Sequence, residues 1–347
     1  MKQILKTYKH VLITGGSGFI GSELIIYLLK NTSVKIFNLD KISYASNKQR
    51  IENFLKENNK IDNNRYELLK GDLADETFTQ STIQYSKPDI VFHLAAESHV
   101  DRSINEPDPF IQSNIIGTFN LLKAVLSYWN KLSYKQQKNF RLHHISTDEV
   151  FGSLGQTGSF NEKSPYSPRS PYSASKAASD HLINSWHHTY GLPILVTNCS
   201  NNFGPWQFPE KLIPKTILNA LSSKPIPIYG QGLNTRDWLY VEDHIDGLIK
   251  VVSEGKVGDC YCIGGSSEKK NIEVVKNICD YLDQIKPKKN SYSELIKFVE
   301  DRPGHDFRYA INPEKINNEL NWFPKYKFEN GLHKTINWYL ENINLYK

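Results

Sequence analysis

Val11-Leu12-Ile13-Thr14-Gly15-Gly16-Ser17-Gly18-Phe19-Ile20-Gly21 is the stretch whose reading decides the fold. The apolar run predicts a buried strand, the glycines a tight turn, and residues 22–29 a helix. Each glycine has a physical use. Gly16 permits the turn, Gly18 lets the backbone approach a pyrophosphate, and Gly21 lets the helix pack closely on the strand. The helix N-terminus then presents free N–H groups and a positive dipole end to phosphates. A second strand, residues 34–39, ends in Asp40. It lies about 20 residues beyond the glycines, where an acid holds ribose hydroxyls. An acid there repels a 2′-phosphate, so the pattern predicts NAD rather than NADP.

The alternation continues outward from this unit. Residues 66–69 read as a third strand, running to Gly71-Asp72-Leu73. Asp72 is read as a partner for the adenine amine or as the cap of the next helix. Residues 89–94 form a fourth strand, entering Ala95-Ala96-Glu97-Ser98-His99, where small residues let the backbone lie against a cofactor. A helix over 114–126 carries Gly117 on its inner face, and strands follow at 140–145 and 193–197. Strands separated by helical patterns imply right-handed crossovers and a parallel sheet. The predicted fold is α/β: a Rossmann-type doubly wound parallel sheet with a smaller, mostly α C-terminal substrate domain. Residues 1–202 make the dinucleotide-binding part, with 239–265 returning to it through a strand at 238–241, a helix at 243–252 and a strand at 258–263. Residues 203–238 and 266–347 make the substrate part, with a helix at 212–222, another starting at Asn271, and terminal amphipathic segments at 317–326 and 332–340.

Two constellations carry chemistry. Ile145-Ser146-Thr147-Asp148-Glu149-Val150-Phe151-Gly152 sets adjacent carboxylates at the fraying end of a strand, where both can reach one crevice. Carboxylates are seldom buried without a partner or a task. Tyr172-Ser173-Ala174-Ser175-Lys176 sets a phenol and an ammonium four apart on one helix face. Such a lysine is expected to lower the phenol's pKa, so that it takes a proton from a hydroxyl while hydride leaves the same carbon. Thr147 or Ser146 is the third polar partner of that hydroxyl.

Composition sets bounds. The 347 residues carry a net charge of +5 without a basic block interleaved with aromatics, so nucleic acid is not indicated. No apolar run approaches a membrane span, and the polar lead at residues 1–10 lacks a signal core, which predicts a cytoplasmic protein. The four cysteines read as buried free thiols, since no second pair offers zinc spacing; no metal is expected.

The chain resembles the extended short-chain dehydrogenase/reductase family, and within it the dTDP-glucose 4,6-dehydratases. The matching segments are Leu94-Ala95-Ala96-Glu97-Ser98-His99-Val100-Asp101-Arg102-Ser103, Ser146-Thr147-Asp148-Glu149-Val150, Tyr172-Ser173-Ala174-Ser175-Lys176, Ser200-Asn201-Asn202-Phe203-Gly204-Pro205, Pro209-Glu210-Lys211-Leu212-Ile213-Pro214 and Asp301-Arg302-Pro303-Gly304-His305-Asp306. The triplet Thr147-Asp148-Glu149 is the most specific, because related epimerases usually lack an acid at the position of Asp148. Phe151 departs from the family's usual tyrosine.

The resemblance implies cofactor contacts at Gly15, Gly18, Phe19, Ile20, Gly21, Asp40, Lys41, Ser43, Asp72, Leu73, Leu94, Ala95, Ala96, Ser98, Ser113, Tyr172, Lys176 and Asn202. It implies substrate contacts at Ser98, Thr147, Asp148, Glu149, Asn201, Lys211, Leu212, Pro227, Ile228, Tyr229, Arg236, Asn271, Arg302 and His305. Lys211 and Arg236 suit a diphosphate, Pro227-Ile228-Tyr229 an apolar wall for the base, and Arg302 with His305 a closure over the nucleotide. The implied reaction is intramolecular: Tyr172 takes the 4-hydroxyl proton as NAD accepts hydride, Glu149 takes the C5 proton, Asp148 protonates the departing C6 hydroxyl, and hydride returns to C6. A homodimer joined through helices near 114–126 and 174–188 is implied as well. A UDP-glucose substrate, a 4-epimerase, which has no need of Asp148, and a non-catalytic NAD-binding module stand as alternatives.

Overall fold

The computed structural model describes residues 8–346, so most of the polar N-terminal lead lies outside the described residues. The strands, in chain order, are β1 (His10–Thr14), β2 (Lys35–Asp40), β3 (Tyr66–Lys70), β4 (Ile90–His93), β5 (Arg141–Thr147), β6 (Ile194–Cys199), β7 (Asn201–Phe203), β8 (Ile226–Tyr229), β9 (Thr235–Tyr240), β10 (Cys260–Ile263), β11 (Glu268–Lys270) and β12 (Ile296–Val299). Seven of them form one parallel sheet in the order β10-β6-β5-β4-β1-β2-β3. The chain winds from β1 through β2 to β3, then resumes at β4 on the other side of β1. That reversal opens a crevice beyond the carboxyl ends of β1 and β4.

Side chains alternate across the sheet, and each face has its own core. Val11 and Ile13 join one cluster with the helices Phe19–Asn31 and Val241–Glu254. Leu12 joins the other, with the helices Glu76–Ser86, Gly117–Trp129 and Pro171–Tyr190. A third cluster gathers the helices Leu212–Leu221, Asn271–Ile285 and Phe328–Glu341 over β8 and β9, forming the lobe that flanks the crevice.

Three expectations are corrected. The strand near Trp238 does not return to the main sheet: β9 lies in a three-stranded sheet between β11 and β7. Its alternation explains why, since Trp238 and Tyr240 pack into the lobe while Leu239 packs into the main core. The return is made by β10, paired with β6. The segment 317–326 holds only the end of a short helix, Glu314–Leu320, closed by Asn321 at φ 49°. The helix expected from residue 114 becomes regular only at Gly117, after a π turn over Ile111–Ile116. In that turn the Asn114 side chain accepts from Glu97 N (2.8 Å) and donates to Ser175 Oγ (2.8 Å).

Candidate active site

The glycine turn follows β1, and its left-handed residue is Gly15 (φ 72°), not Gly16 as expected. A Cβ on Gly15 would lie 2.7 Å from the Ala95 backbone. Gly16 is pressed instead against the Asn38 side chain. Gly21 abuts the Gly15 carbonyl, so the close helix approach does demand glycine there. No side chain caps the helix at Gly18, which leaves first-turn N–H groups free. Asp40 ties the loop after β2 to this turn: Oδ2 accepts from Ser17 N (2.9 Å), and Oδ1 from Ile42 N (2.7 Å) and Ser46 Oγ (3.1 Å). Lys41 bonds Ser113 Oγ (2.7 Å) and pairs with Glu97 (2.7 Å). Asp72 does not cap the next helix; Asp75 does, accepting from Phe78 N at 2.9 Å.

One cleft of about 310 Å³ runs from the glycine turn to Lys211. Every residue read above as a cofactor contact lines it, as do Ser98, Thr147, Asp148, Glu149, Asn201 and Lys211. A nicotinamide dinucleotide fits these walls. The turn has no room for a Cβ, the helix end is uncapped, and the buried Oδ1 atoms of Asn201 and Asn202 have no partner among the described residues.

Asp148 and Glu149 do not sit on a fraying strand. They open a 3-10 turn, Asp148–Phe151, capped by Thr147, whose Oγ1 accepts from Glu149 N (3.3 Å). Asp148 is 1% exposed, whereas Glu149 is partly open. The Thr147 hydroxyl donates to Asp148 Oδ1 at 3.3 Å, while Oδ2 has no partner among the described residues. Burial, then the charges of Glu149 and Asp237, push Asp148 well above the usual carboxylate range. Burial raises Glu149 as well, but Arg302, Lys211 and Arg236 pull it down. The deeper burial of Asp148 and the cations around Glu149 both favour placing a shared proton on Asp148.

Tyr172 and Lys176 occupy the first turns of the helix Pro171–Tyr190, whose cap Ser170 accepts from Ser173 N (3.1 Å). Both are buried, and Lys176 Nζ donates to Ile145 O (2.9 Å). The expected lowering of the phenol is reversed. Burial, then the charge of Glu149, hold Tyr172 well above its ordinary value, with the Thr147 hydroxyl acting the other way. A dry pocket beside carboxylates disfavours the phenolate.

Apart from Lys211, which lines the cleft, the remaining sequence-derived contacts lie beyond the cleft lining. Lys211 reaches across the cleft to Ser98 O (2.9 Å). Arg302 pairs with Asp101 (2.7 Å), which also accepts from Tyr229 OH (3.0 Å). Arg236 is buried, stacked 4.4 Å from the Tyr309 ring centroid, and donates to Asp306 O (3.0 Å). His305 Nδ1 lies 2.6 Å from Asp301. Leu212 and Asn271 open their helices. The apolar wall is only partly as expected: Pro227 and Tyr229 face outward, but Ile228 turns into the lobe's core. Sequence reasoning gave no role to Asp101, Glu97 or Asp237. Asp237 carried a signal, an acid beside Arg236 directly before the apolar run Trp238-Leu239-Tyr240-Val241.

Residues 12–335 match the family model described as GDP-mannose 4,6 dehydratase. A dTDP-glucose 4,6-dehydratase of Neisseria meningitidis is 52% identical over 339 residues, covering 96% of this chain and 94% of the relative. One from Escherichia coli K12 is 52% identical over 341 residues, covering 96% and 93%. A crystal structure of dTDP-glucose 4,6-dehydratase from Bacillus anthracis in complex with NAD superposes with TM-score 0.84 at 42% identity, covering 97% of this chain and 98% of that one. The Streptomyces venezuelae dTDP-glucose 4,6-dehydratase with NAD and TYD bound gives 0.86 at 37% identity, covering 96% and 98%. Among the described residues, no helix is long and apolar enough to cross a membrane.

Proposed function

The chain belongs to the dTDP-glucose 4,6-dehydratases, and from that premise we propose that it converts dTDP-glucose to dTDP-4-keto-6-deoxyglucose, a deoxysugar precursor, with NAD as resident cofactor. The observation that carries the reading is Asp148, an acid buried in the cleft shared with Tyr172 and Glu149. A 4-epimerase has no use for it.

The Gly15–Gly21 turn, Asp40 and Lys176 would hold NAD, which would supply a positive ring and a reversible hydride acceptor. Tyr172, with Lys176 and the bound cofactor's positive charge favouring its phenolate against burial, takes the 4-hydroxyl proton at its phenol oxygen, with Thr147 as hydrogen-bond partner. Glu149, partly open to the cleft and flanked by cations, removes the C5 proton that the new ketone has acidified. Asp148 gives its proton to the C6 hydroxyl, which departs as water, and C5 is reprotonated at the end. Lys211, Arg236 and Arg302 supply the positive charge for the diphosphate, and Pro227 and Tyr229 lie against the base.

A homodimer suits the exposed ends of the helices that flank the site, where Ile116 is 36% and Tyr190 50% exposed and Phe119 meets Trp186 edge-on at 5.9 Å. Four free thiols suit the reducing cytoplasm. The deciding experiment incubates the protein with dTDP-glucose and UDP-glucose in parallel. A keto-sugar chromophore in base with dTDP-glucose supports the reading; an epimerised hexose without that chromophore refutes it.

A further inference from the structure

One turn beyond Lys176, the same helix buries a second carboxylate, Asp180, at 0% exposure. Four donors converge on it from three other parts of the chain. His144 Nε2 (2.9 Å) and Ser146 Oγ (2.8 Å) come from β5, Asn198 Nδ2 (3.2 Å) from β6, and Tyr166 OH (2.8 Å) from the loop before the helix. His144 and Ser146 flank Ile145, whose carbonyl accepts from Lys176 Nζ. Asn198 also donates to Thr147 O (3.0 Å), one residue before Asp148.

We propose that Asp180 is a positioning residue for the redox pair: it locks the strand end bearing Asp148 and Glu149 to the helix bearing Tyr172, and it is the counter-charge that keeps the buried Lys176 an ammonium. The inference rests on the reading of Tyr172 and Lys176 given above. Such a carboxylate is not needed to fill space, since a fully buried anion carries a large desolvation penalty unless it is hydrogen-bonded and paired. The hydrogen bonds are in place, and the cation on its own helix, Lys176 at i−4, acts on Asp180 through its charge while its Nζ bonds Ile145 O. The other titratable groups turned toward this pair are His144, whose ring lies tilted against that of His93 with centroids 5.1 Å apart, with Tyr166, Cys199 and Cys260. Burial lowers both histidines, which leaves them neutral, and raises the tyrosine and the thiols, which leaves those protonated. Asp180 is held ionised despite burial by His144 and Lys176, and it opposes the lowering that burial imposes on Lys176.

The test is the pH profile of kcat/KM for dTDP-glucose in Asp180→Asn. Losing the anion lowers the pKa of Lys176, so the alkaline limb moves to lower pH by about 1 unit or more. A loss of activity uniform in pH, or an unmoved limb at full activity, overturns the proposal. If Asp180→Asn does not fold, Lys176→Met reads the coupling from the other side. Asp180 is then buried without its counter-charge and its pKa rises, so the Tm of Lys176→Met drops relative to that of the unmodified protein as pH rises through the range where Asp180 ionises. A gap independent of pH overturns the proposal. Full turnover by Tyr172→Phe is a separate result, because it removes the reading of the redox pair itself whatever Asp180 does.

Discussion

Asp148→Asn is the substitution that presses hardest on the proposed chemistry. Asparagine keeps the shape of the side chain and a hydrogen-bond donor but has no proton to give. A general acid contributes about 10²–10⁴ in rate, which is about 3–5 kcal/mol of barrier. Asp148 is 1% exposed and its Oδ2 is unpartnered, so bulk water has little access to replace it, and the loss of 4-keto-6-deoxy product belongs near the upper end of that range. Tyr172 and Glu149 are untouched, so deuterium exchange at C5 from solvent persists. Stability moves the opposite way. The folded-state pKa of Asp148 is raised, so the native state binds a proton that the unfolded chain has released, and stability falls as pH rises above the ordinary carboxylate value. Asparagine removes that penalty: Tm of Asp148→Asn exceeds that of the unmodified protein at neutral pH, and the difference shrinks toward acid. The assay is product formation and C5 exchange side by side, with melting curves over the same pH range. Undiminished product formation, or product and exchange lost together in a folded variant, refutes the assignment of Asp148 as the acid.

Other outcomes follow from the same geometry. Tyr172→Phe abolishes C5 exchange as well as product, because the ketone that acidifies C5 never forms; isotope exchange followed by mass spectrometry checks it. Glu149 is raised by burial, so kcat/KM falls with decreasing pH through a pKa above 4.5, and Glu149→Gln shows no C5 exchange at any pH. Gly15→Ala meets both the left-handed backbone and the Ala95 backbone 2.7 Å away. It destabilises by at least about 1–2 kcal/mol and weakens NAD retention, read by thermal melting and by cofactor content after gel filtration. Asp101→Asn frees Arg302 and Tyr229 at the rim. It raises KM with little change in kcat, and costs at most about 1 kcal/mol of stability, the pair being partly exposed.

Much of this molecule was legible in the chain because its constraints are local. A strand, a glycine turn and a helix in succession depend on near neighbours, so the unit around Gly15–Gly21 and Asp40 could be read directly, and the i, i+4 spacing of Tyr172 and Lys176 is a property of any helix. The misreadings share one cause. Spacing alone does not say which glycine is left-handed; the Ala95 backbone, just beyond the distant β4, makes it Gly15 rather than Gly16. β9 was assigned to the main sheet because an apolar strand looks the same whichever core it faces, and the packing of Trp238 and Tyr240 decides it.

The chain by itself determined that an acid and a base stand side by side near a phenol and a lysine in a dinucleotide-binding fold. Only the tertiary structure decided what surrounds each carboxylate, and so which of them favours the proton. That allocation depends on the burial of Asp148 and on Asp237, and on cations at Lys211, Arg236 and Arg302 that surround Glu149. A pKa is set by the charges and solvent within a few ångströms of a group, and folding brings those neighbours from far along the chain.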